Sequence, residues 1–363
     1  MILENDTLNL QATYAPIAAE LERVRSAFRN ELNSDQPFIE TLADHVAQYH
    51  GKMLRPALVL LVGQSCGTLK PSHITLGAVV EMVHIATLVH DDILDEADVR
   101  RRVPTINTLV GNERAVLLGD YLISHSYHLC SSLASQYASR RVAATTNRVC
   151  EGEMMQVAHR NDWALSEATY LDIVERKTAS LIGTCCGLGA WASDAETELV
   201  AQFERFGNSL GIAFQIVDDI LDLIGDEAVV GKSVGRDADK GKLTLPMIHF
   251  LRTASAPACH EFQRILEKMR TAGPDFHING HEKTGHDDKG DISPATRTRT
   301  CGQHGTLQSD LLGLLQQTKS LDYARNVAAR YVETARDAVT VLPESPARHS
   351  LLTMTDFVLA RRH

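Results

Sequence analysis

The sequence predicts an all-α protein in which long helices form a large bundle. Apolar residues recur at helical spacing along nearly the whole chain, and no stretch shows a convincing strand alternation. The strand–helix–strand rhythm of a parallel sheet is not seen either. Helices this long and this apolar are typical of a bundle whose centre holds the functional site.

The first helix that the pattern delimits clearly begins at Pro71–Ser72, with Ser72 as its N-cap, and ends in acidic residues. Further helices are predicted over 111–137, 139–159, 166–192, 195–224, 243–254, 308–317, 319–341 and 346–361. Residues 272–306 are rich in Gly, Pro, Asp, His and Thr, which predicts a flexible surface insertion. Its histidines and Cys301 are irregularly spaced, and this favours solvated loop residues over a metal site.

Composition narrows the class of protein. The 363 residues can bury a substantial core, and 44% hydrophobic with 23% charged residues is ordinary for a soluble globular protein. A net charge of −10 argues against nucleic-acid binding. Residues such as Glu81 and His84 interrupt each apolar stretch, so no membrane span is expected, and the N-terminus lacks the order of a signal peptide. Seven cysteines without metal-ligand spacing indicate reduced thiols in a cytoplasmic protein.

Two acidic clusters of identical spacing carry the main chemical signal. The sequence DDILD occurs at 91–95 and again at 218–222, each time at the end of an apolar helical stretch. Positions i and i+4 lie about 40° apart on a helix, so the outer aspartates of each cluster share a face. Clustered carboxylates at apolar helix ends need cations, and oxygen ligands alone suit Mg²⁺ bound to a diphosphate. Solvated acidic helix ends remain the alternative for either cluster taken alone.

Basic and polar residues accompany both clusters. His84 and Thr87 share the helix face of Asp91 and Asp95, and an arginine triplet, Arg100–Arg102, follows directly. On the second helix one stripe contains Gly207, Gly211, Gln215, Asp218 and Asp222; the glycines are expected to permit close helix packing. Further cations are Lys52, Arg55, Lys177, Lys232, Lys240 and Lys242. Each could be a surface charge, but as a set they predict a phosphate cage opposite the acids.

These blocks closely resemble the trans-isoprenyl diphosphate synthase (polyprenyl synthetase) family. The matching stretches are GKMLRP, EMVHIATLVHDDILDEADVRRRVPTIN, GDYL, EGEMMQ, RKTASLI, FQIVDDILDL, GKSVGRDADKGKLTLP and LDYARNVAARYVETARDAV. The resemblance covers most of the chain outside the first dozen residues and the 272–306 insertion. It implies one domain over 1–363, with the isoprenoid synthase fold of antiparallel helices around a deep central cavity.

The resemblance also implies an activity and its residues. Isopentenyl diphosphate would be condensed sequentially onto an allylic diphosphate by a homodimer that uses three Mg²⁺ ions per active site. The metal ligands would be Asp91, Asp92, Asp95, Asp218, Asp219 and Asp222. Arg100, Lys177, Lys232 and Lys242 would contact the allylic diphosphate, and Lys52, Arg55, His84 and Arg101 the isopentenyl diphosphate. Thr178 and Gln215 match positions next to the reacting carbons, and with Lys177 and Lys232 they form the predicted catalytic set.

Product length would depend on how deep the apolar pocket runs below the first cluster. Short-chain members of the family resemble one another in having aromatic residues four or five positions before the first aspartate. Here these positions are Thr87 and Ala86, which are small, so a product of roughly six to ten isoprene units (about C30–C50) is expected. Tyr121, Leu122, Ser124, His125, Tyr127 and His128 are candidates for the pocket floor.

Several alternatives stay open at this point. A floor higher in the pocket would make the chain a geranylgeranyl or farnesyl diphosphate synthase, and a partner subunit could make it the catalytic half of a heterodimer. A terpene cyclase or a head-to-head synthase would not need the isopentenyl site. A non-catalytic partner subunit should have lost acids from one cluster, and both clusters are complete.

Overall fold

The computed structural model describes residues 10–47, 49, 51–100, 103–224, 235–272, 276–277, 298–299 and 303–361. These residues are almost entirely helical, which confirms the predicted fold class. The helices are α1 (Ala18–Glu31), α2 (Pro37–Ala47), α3 (Leu54–Cys66), α4 (Pro71–Leu94), α5 (Ile106–Val110), α6 (Asn112–Ser131), α7 (Gln136–Ala158), α8 (Glu167–Val174), α9 (Ser180–Ala192), α10 (Thr197–Ile224), α11 (Arg236–Asp239), α12 (Leu245–Thr253), α13 (Ala256–Ala272), α14 (Gln303–Gln317), α15 (Ser320–Thr340) and α16 (Pro346–Ala360).

Short irregular elements connect them. A 3₁₀ turn at Ala15–Ile17 precedes α1, and a π-helical turn at Glu175–Ala179 joins α8 to α9. The antiparallel strands β1 (Val99–Arg100) and β2 (Val103–Pro104) follow α4. A second antiparallel pair, β3 (Phe276–His277) and β4 (Thr298–Arg299), lies in the predicted insertion.

The centre of the bundle is built from α4, α9 and α10. Helix α9 is buried along nearly its whole length and packs against α10 on one side and against α3 and α4 on the other. Helix α10 also packs against α15, and α4 against α6. The two helices that end in acidic clusters, α4 and α10, are therefore held on either side of one apolar helix.

Two glycines of α10 permit this close packing, as the sequence predicts. A Cβ atom on Gly207 would lie 2.6 Å from the carbonyl oxygen of Ile182, and one on Gly211 would lie 2.6 Å from the Cα atom of Ala179. Both distances are far below van der Waals contact, so any larger residue would push α10 away from α9 and from the π turn.

Some predicted boundaries are wrong. The N-cap of α4 is Lys70, not Ser72: Pro71 occupies the first turn, and the backbone N–H of Lys70 donates to Nδ1 of His73 at 3.0 Å. The predicted helix 166–192 is interrupted by the π turn, and residues 303–306, assigned to the loop, belong to α14. The sequence does not predict helices α1, α2, α3, α5, α11 and α13. Most of the 272–306 insertion lies outside the described residues, so its flexibility stays a prediction.

Helix α4 is longer and more apolar than the sequence analysis expects, because no stretch of membrane-spanning length was predicted. By length and composition this helix could cross a membrane, with a mean hydropathy of 1.5 over its most apolar window. That window is 67% buried inside the protein, between the neighbouring helices. Its apolar character is thus accounted for by its central place in the bundle.

Candidate active site

The first acidic cluster presents two aspartates to lysines. Asp91 lies in the last turn of α4 and Asp95 is its C-cap residue. Oδ2 of Asp91 lies 3.7 Å from Nζ of Lys177, and Oδ1 of Asp95 lies 2.8 Å from Lys240 and 3.3 Å from Lys242. Asp91 and Asp95 therefore share one helix face, as predicted, and that face lies against a cluster of lysines.

The middle aspartate of this cluster points elsewhere. Asp92 is 1% exposed and accepts hydrogen bonds from Nε and Nη2 of Arg100, at 2.9 and 2.7 Å from its Oδ1. The hydroxyl of Tyr49 also donates to it, at 3.4 Å. The short β1–β2 hairpin returns the chain toward α4 and so brings Arg100 against Asp92. Asp92, predicted as a metal ligand, and Arg100, predicted as a diphosphate contact, thus bind each other.

The second acidic cluster is arranged in the same way. Asp218 accepts from Nη2 of Arg361 at 2.6 Å, and Asp222 accepts from the backbone N–H of Asp237 at 3.1 Å. The middle residue, Asp219, is buried and accepts from the hydroxyl of Tyr170 at 2.5 Å and from Nε2 of Gln215 at 2.8 Å. In both clusters the outer aspartates face cations or loops, and the middle one is held inside by a tyrosine.

The π turn carries Lys177 and Thr178. It fits between α7 and α10 because both helices have a glycine there: a Cβ atom on Gly152 would lie 2.5 Å from the backbone nitrogen of Lys177. Lys177 donates to Gln156 at 2.8 Å and forms an ion pair with Glu153, both on α7. Thr178 donates to Oε1 of Gln215 at 3.0 Å. π turns inside helices are frequent at functional sites, where they redirect a side chain.

A short segment around α11 joins the two clusters. Nζ of Lys242 lies 3.3 Å from Asp95 of the first cluster and 3.9 Å from Asp237, whose backbone is held by Asp222 of the second. The backbone N–H of Asn161 donates to the carbonyl of Gly241 at 2.8 Å and fixes the turn between the two lysines. The geometry thus brings the acidic clusters of α4 and α10 to one site, as the sequence predicts.

A second cationic pocket lies beside the first site. Its lining includes Lys52, Arg55, Glu81, His84, Phe214, Phe357 and Arg361. The ammonium group of Lys52 lies 4.8 Å above the ring of Phe357, and the guanidinium group of Arg361 lies 4.1 Å above that of Phe214. Nε and Nη1 of Arg361 have no hydrogen-bond partner within the described residues. This pocket brings together three of the four residues predicted to hold the second diphosphate.

The charges of the site shift its carboxylate pKa values in opposite directions. Burial alone would raise the pKa of Asp95, but Lys242 and Lys240 outweigh it and hold the value at about 2. The pKa of Asp91 is raised, mainly by burial and also by the nearby carboxylates of Glu153 and Asp95. Burial and the charge of Asp237 likewise raise the pKa of Asp219. Additional positive charge at the site would oppose this rise in the pKa of Asp91.

The donor set fits Mg²⁺ bound together with a diphosphate. Within the described residues no three His, Cys, Asp or Glu side chains form a group that could hold a metal ion by themselves. Mg²⁺ is usually held by one or two carboxylates, with water and substrate phosphates completing its octahedron. Asp91 and Asp95, four residues apart on one helix face, could supply these one or two carboxylates.

Sequence reasoning missed several residues of this site. Arg361, Tyr170, Gln156, Glu153 and Asp237 were given no role, although all of them contact predicted site residues. EGEMMQ was noted as a matching block, and that was the available signal for Glu153 and Gln156. The predicted residues Arg101 and Lys232 lie outside the described residues.

Fold and site together define a class: an α-helical protein in which two aspartate-rich helix ends meet lysine and arginine side chains at one site. Comparison with known proteins identifies the family. Residues 36–275 match the polyprenyl synthetase family, and the chain belongs to it. Members of this family are prenyltransferases that depend on a divalent metal.

Its relatives resemble it over almost their full length. An octaprenyl diphosphate synthase from Haemophilus influenzae is 31% identical over 347 residues, which are 95% of this chain and 94% of that protein. The crystal structure of a decaprenyl diphosphate synthase from Rhodobacter capsulatus has a TM-score of 0.82 and 29% identity, with 98% and 99% of the two chains covered. A polyprenyl synthase from Caulobacter crescentus, solved with calcium and isoprenyl diphosphate, has a TM-score of 0.83 and 26% identity over 98% of each chain.

Proposed function

We propose that the protein condenses isopentenyl diphosphate repeatedly onto an allylic diphosphate and releases a long trans-polyprenyl diphosphate. The observation that carries this proposal is the presence of two adjacent cationic pockets. One is framed by Lys177, Lys242 and the outer aspartates, and the other by Lys52, Arg55 and His84. A condensation needs a site for each diphosphate, whereas a cyclase needs one.

The outer aspartates Asp91, Asp95, Asp218 and Asp222 would hold the predicted three Mg²⁺ ions with the allylic diphosphate. The metal, when bound, neutralises the negative charge that develops on the leaving diphosphate. Asp92 and Asp219 were also predicted as ligands. Because Arg100, Tyr49, Tyr170 and Gln215 occupy their carboxylates, we assign them to anchoring the two helix ends.

The reaction follows from the placement of the cations. Lys177 and Lys242, with the predicted Lys232, would stabilise the departing diphosphate, so that the allylic C–O bond ionises. Lys52, Arg55, His84 and the predicted Arg101 hold isopentenyl diphosphate with its double bond facing the allylic cation. The new C–C bond forms, and the proton lost from the isopentenyl unit passes to the released diphosphate. Thr178 and Gln215 lie at the reacting end.

Product length is set by the pocket below Asp91. Ala86 is fully buried on α4, and the hydroxyl of Thr87 donates to the carbonyl of His84 in its own helix at 2.7 Å. Neither side chain can close the pocket as an aromatic residue would. The relatives that make octaprenyl and decaprenyl products support a length of about C30–C50 here.

The proposal extends to the state of the protein in the cell. We expect a cytoplasmic homodimer whose chain forms one domain, with the 272–306 insertion on its surface. Exposed apolar residues on neighbouring helices α6 and α7, among them Leu117 and Met154, support association with a second copy.

A product assay of the purified chain tests the proposal. The protein would be incubated with Mg²⁺, farnesyl diphosphate and labelled isopentenyl diphosphate, and the dephosphorylated products sized by chromatography. A ladder that ends at one species of about C30–C50 is expected. A ladder that ends at geranylgeranyl would contradict the long-chain assignment. Folded protein without any elongation would contradict a self-sufficient enzyme and indicate a required partner subunit.

A further inference from the structure

A continuous chain of hydrogen bonds connects Tyr170 to the reacting end of the site. The hydroxyl of Tyr170 donates to Oδ2 of Asp219 at 2.5 Å, and Oδ1 of Asp219 accepts from Nε2 of Gln215 at 2.8 Å. Oε1 of Gln215 then accepts from the hydroxyl of Thr178 at 3.0 Å. We propose that Tyr170 is a positioning residue, which fixes the Gln215 amide and the Thr178 hydroxyl through Asp219. The inference rests on the proposed function, which places Thr178 and Gln215 beside the reacting carbons.

The direction of each bond follows from the donors and acceptors in the structure. Asp219 accepts from both Tyr170 and Gln215, so the NH₂ group of Gln215 faces it. The Gln215 carbonyl then faces Thr178, and the Thr178 hydroxyl must donate to it. The remaining lone pair of that hydroxyl is available to the positive charge of an allylic cation. If the amide were reversed, its N–H groups would face the cation instead.

The chain of hydrogen bonds connects α10 to α8 at one end and to the π turn at the other. Gln215 and Asp219 are four residues apart, and therefore lie on one face of α10. Tyr170 on α8 and Thr178 on the following π turn meet that face at its two ends. Tyr170 and Asp219 are each 5% exposed, so water does not replace a lost partner easily. Asp219 is thereby held away from the Arg361 guanidinium group, which its neighbour Asp218 faces.

Removing the Tyr170 hydroxyl would break the hydrogen bond that connects α8 to Asp219. In a Tyr170→Phe variant the ring still fills its space, but Oδ2 of Asp219 loses its donor. The carboxylate can then rotate, and the Gln215 amide no longer has one fixed acceptor. The loss should affect the chemical step more than substrate binding, because neither diphosphate contacts Tyr170 in the proposed arrangement.

The test is a double-mutant cycle on single-condensation kinetics with farnesyl diphosphate. Tyr170→Phe should lower kcat about tenfold and change both KM values less than about twofold. In a Gln215→Leu background, Tyr170→Phe should not lower kcat further, because its effect on kcat depends on Gln215. The control Tyr323→Phe also removes a hydroxyl that donates to a carboxylate, that of Glu167 at 2.8 Å, and should leave kcat unchanged. An unchanged kcat in Tyr170→Phe, or additive losses in the double variant, would overturn the inference.

A structural measurement separates this inference from the proposed function. The crystal structure of the Tyr170→Phe variant should show the Gln215 side chain in more than one orientation, or rotated away from Thr178. An unchanged Thr178–Gln215–Asp219 arrangement would overturn the inference even if the wild-type enzyme were inactive on farnesyl diphosphate. Inactive wild-type protein would contradict the proposed function alone.

Discussion

At the scale of single residues, the aspartates of the site differ in whether they are buried against tyrosine hydroxyls or face cationic side chains. Asp92 and Asp219 repeat the same sequence position and are both buried and bound by tyrosine hydroxyls. Asp91 and Asp95 instead face the ammonium groups of lysines. In each DDILD repeat the middle aspartate is therefore buried, whereas the outer aspartates are open to the site.

The separation of the two cationic pockets leads to a paired prediction. Lys242→Ala should raise the KM for the allylic diphosphate about tenfold or more, since it removes a charge-assisted contact of roughly 1.5–3 kcal/mol. Lys52→Ala should do the same for isopentenyl diphosphate. Each variant should leave the other KM within about twofold, and exposed Lys268→Ala should change neither. Steady-state kinetics with each substrate varied in turn decides this, and a rise in the wrong KM for either variant would refute the assignment.

At the scale of helices, α4 would combine the aspartates proposed to bind Mg²⁺ with the wall of the proposed product pocket. Ala86 lies five residues before Asp91 and is fully buried. Ala86→Phe should shorten the product, because the ring would occupy space that the growing chain needs. Overpacking of about 1–3 kcal/mol is expected, so a thermal melt should accompany the product analysis. Thr87→Ala is the control and should keep the wild-type length; an unchanged product in folded Ala86→Phe would show that the chain grows elsewhere.

His73 connects helices α4 and α9, and its burial should make the stability of this packing depend on pH. Its Nδ1 accepts the backbone N–H of Lys70, and its Nε2 lies 3.1 Å from the carbonyl of Gly189 and 3.0 Å from Oγ of Ser193. Burial lowers the pKa of this imidazole; the hydrogen bonds and Asp194 oppose that shift, and Lys70 adds to it. The neutral form is thus favoured on folding, and its contribution is present at pH values above the unfolded pKa of about 6.5.

The free energy of unfolding should therefore fall as the pH falls through this range. Urea titrations at pH 7.5 and 5.5 would measure it, with His73→Asn as the comparison, because an amide keeps hydrogen-bonding groups but does not titrate. The wild type should lose more stability than the variant between these two pH values. Equal losses would show that His73 has no part in the pH dependence.

How much the sequence could predict is clear from particular elements. Helical periodicity predicted α10 and α15 well, since each has one apolar face over many turns, and the long apolar stretch predicted α4. The π turn could not be predicted, because its five residues, Glu175–Ala179, include three charged side chains and show no apolar spacing that would reveal an extra residue in the turn. Arg361 was missed for another reason: it is remote in sequence from Asp218, and no spacing rule connects them. Local patterns predicted the acids, and tertiary packing decided which of them face cationic side chains and which are buried.

At the scale of the whole molecule, exposed apolar side chains identify the surface that should associate with a second copy. Val116 and Leu117 on α6 are 42% and 60% exposed, and Met154 and Val157 on α7 are 64% and 42% exposed. Both pairs lie close to the site: α6 packs near His90 beside the first cluster, and α7 holds Lys177 through Gln156. Burying this surface would also exclude water from the outer side of α6 and α7, next to the proposed product pocket.

Dimerisation through this surface is the last prediction. Leu117→Asp combined with Met154→Asp would bury two charges in the interface, which should shift the molar mass measured by light scattering from dimer toward monomer. Val341→Asp is the matched control, because Val341 is 66% exposed but lies after α15, away from these helices. The control should keep the mass of the wild type. If the double variant also kept a dimeric mass, another surface would form the dimer; a monomeric wild type would refute the homodimer itself.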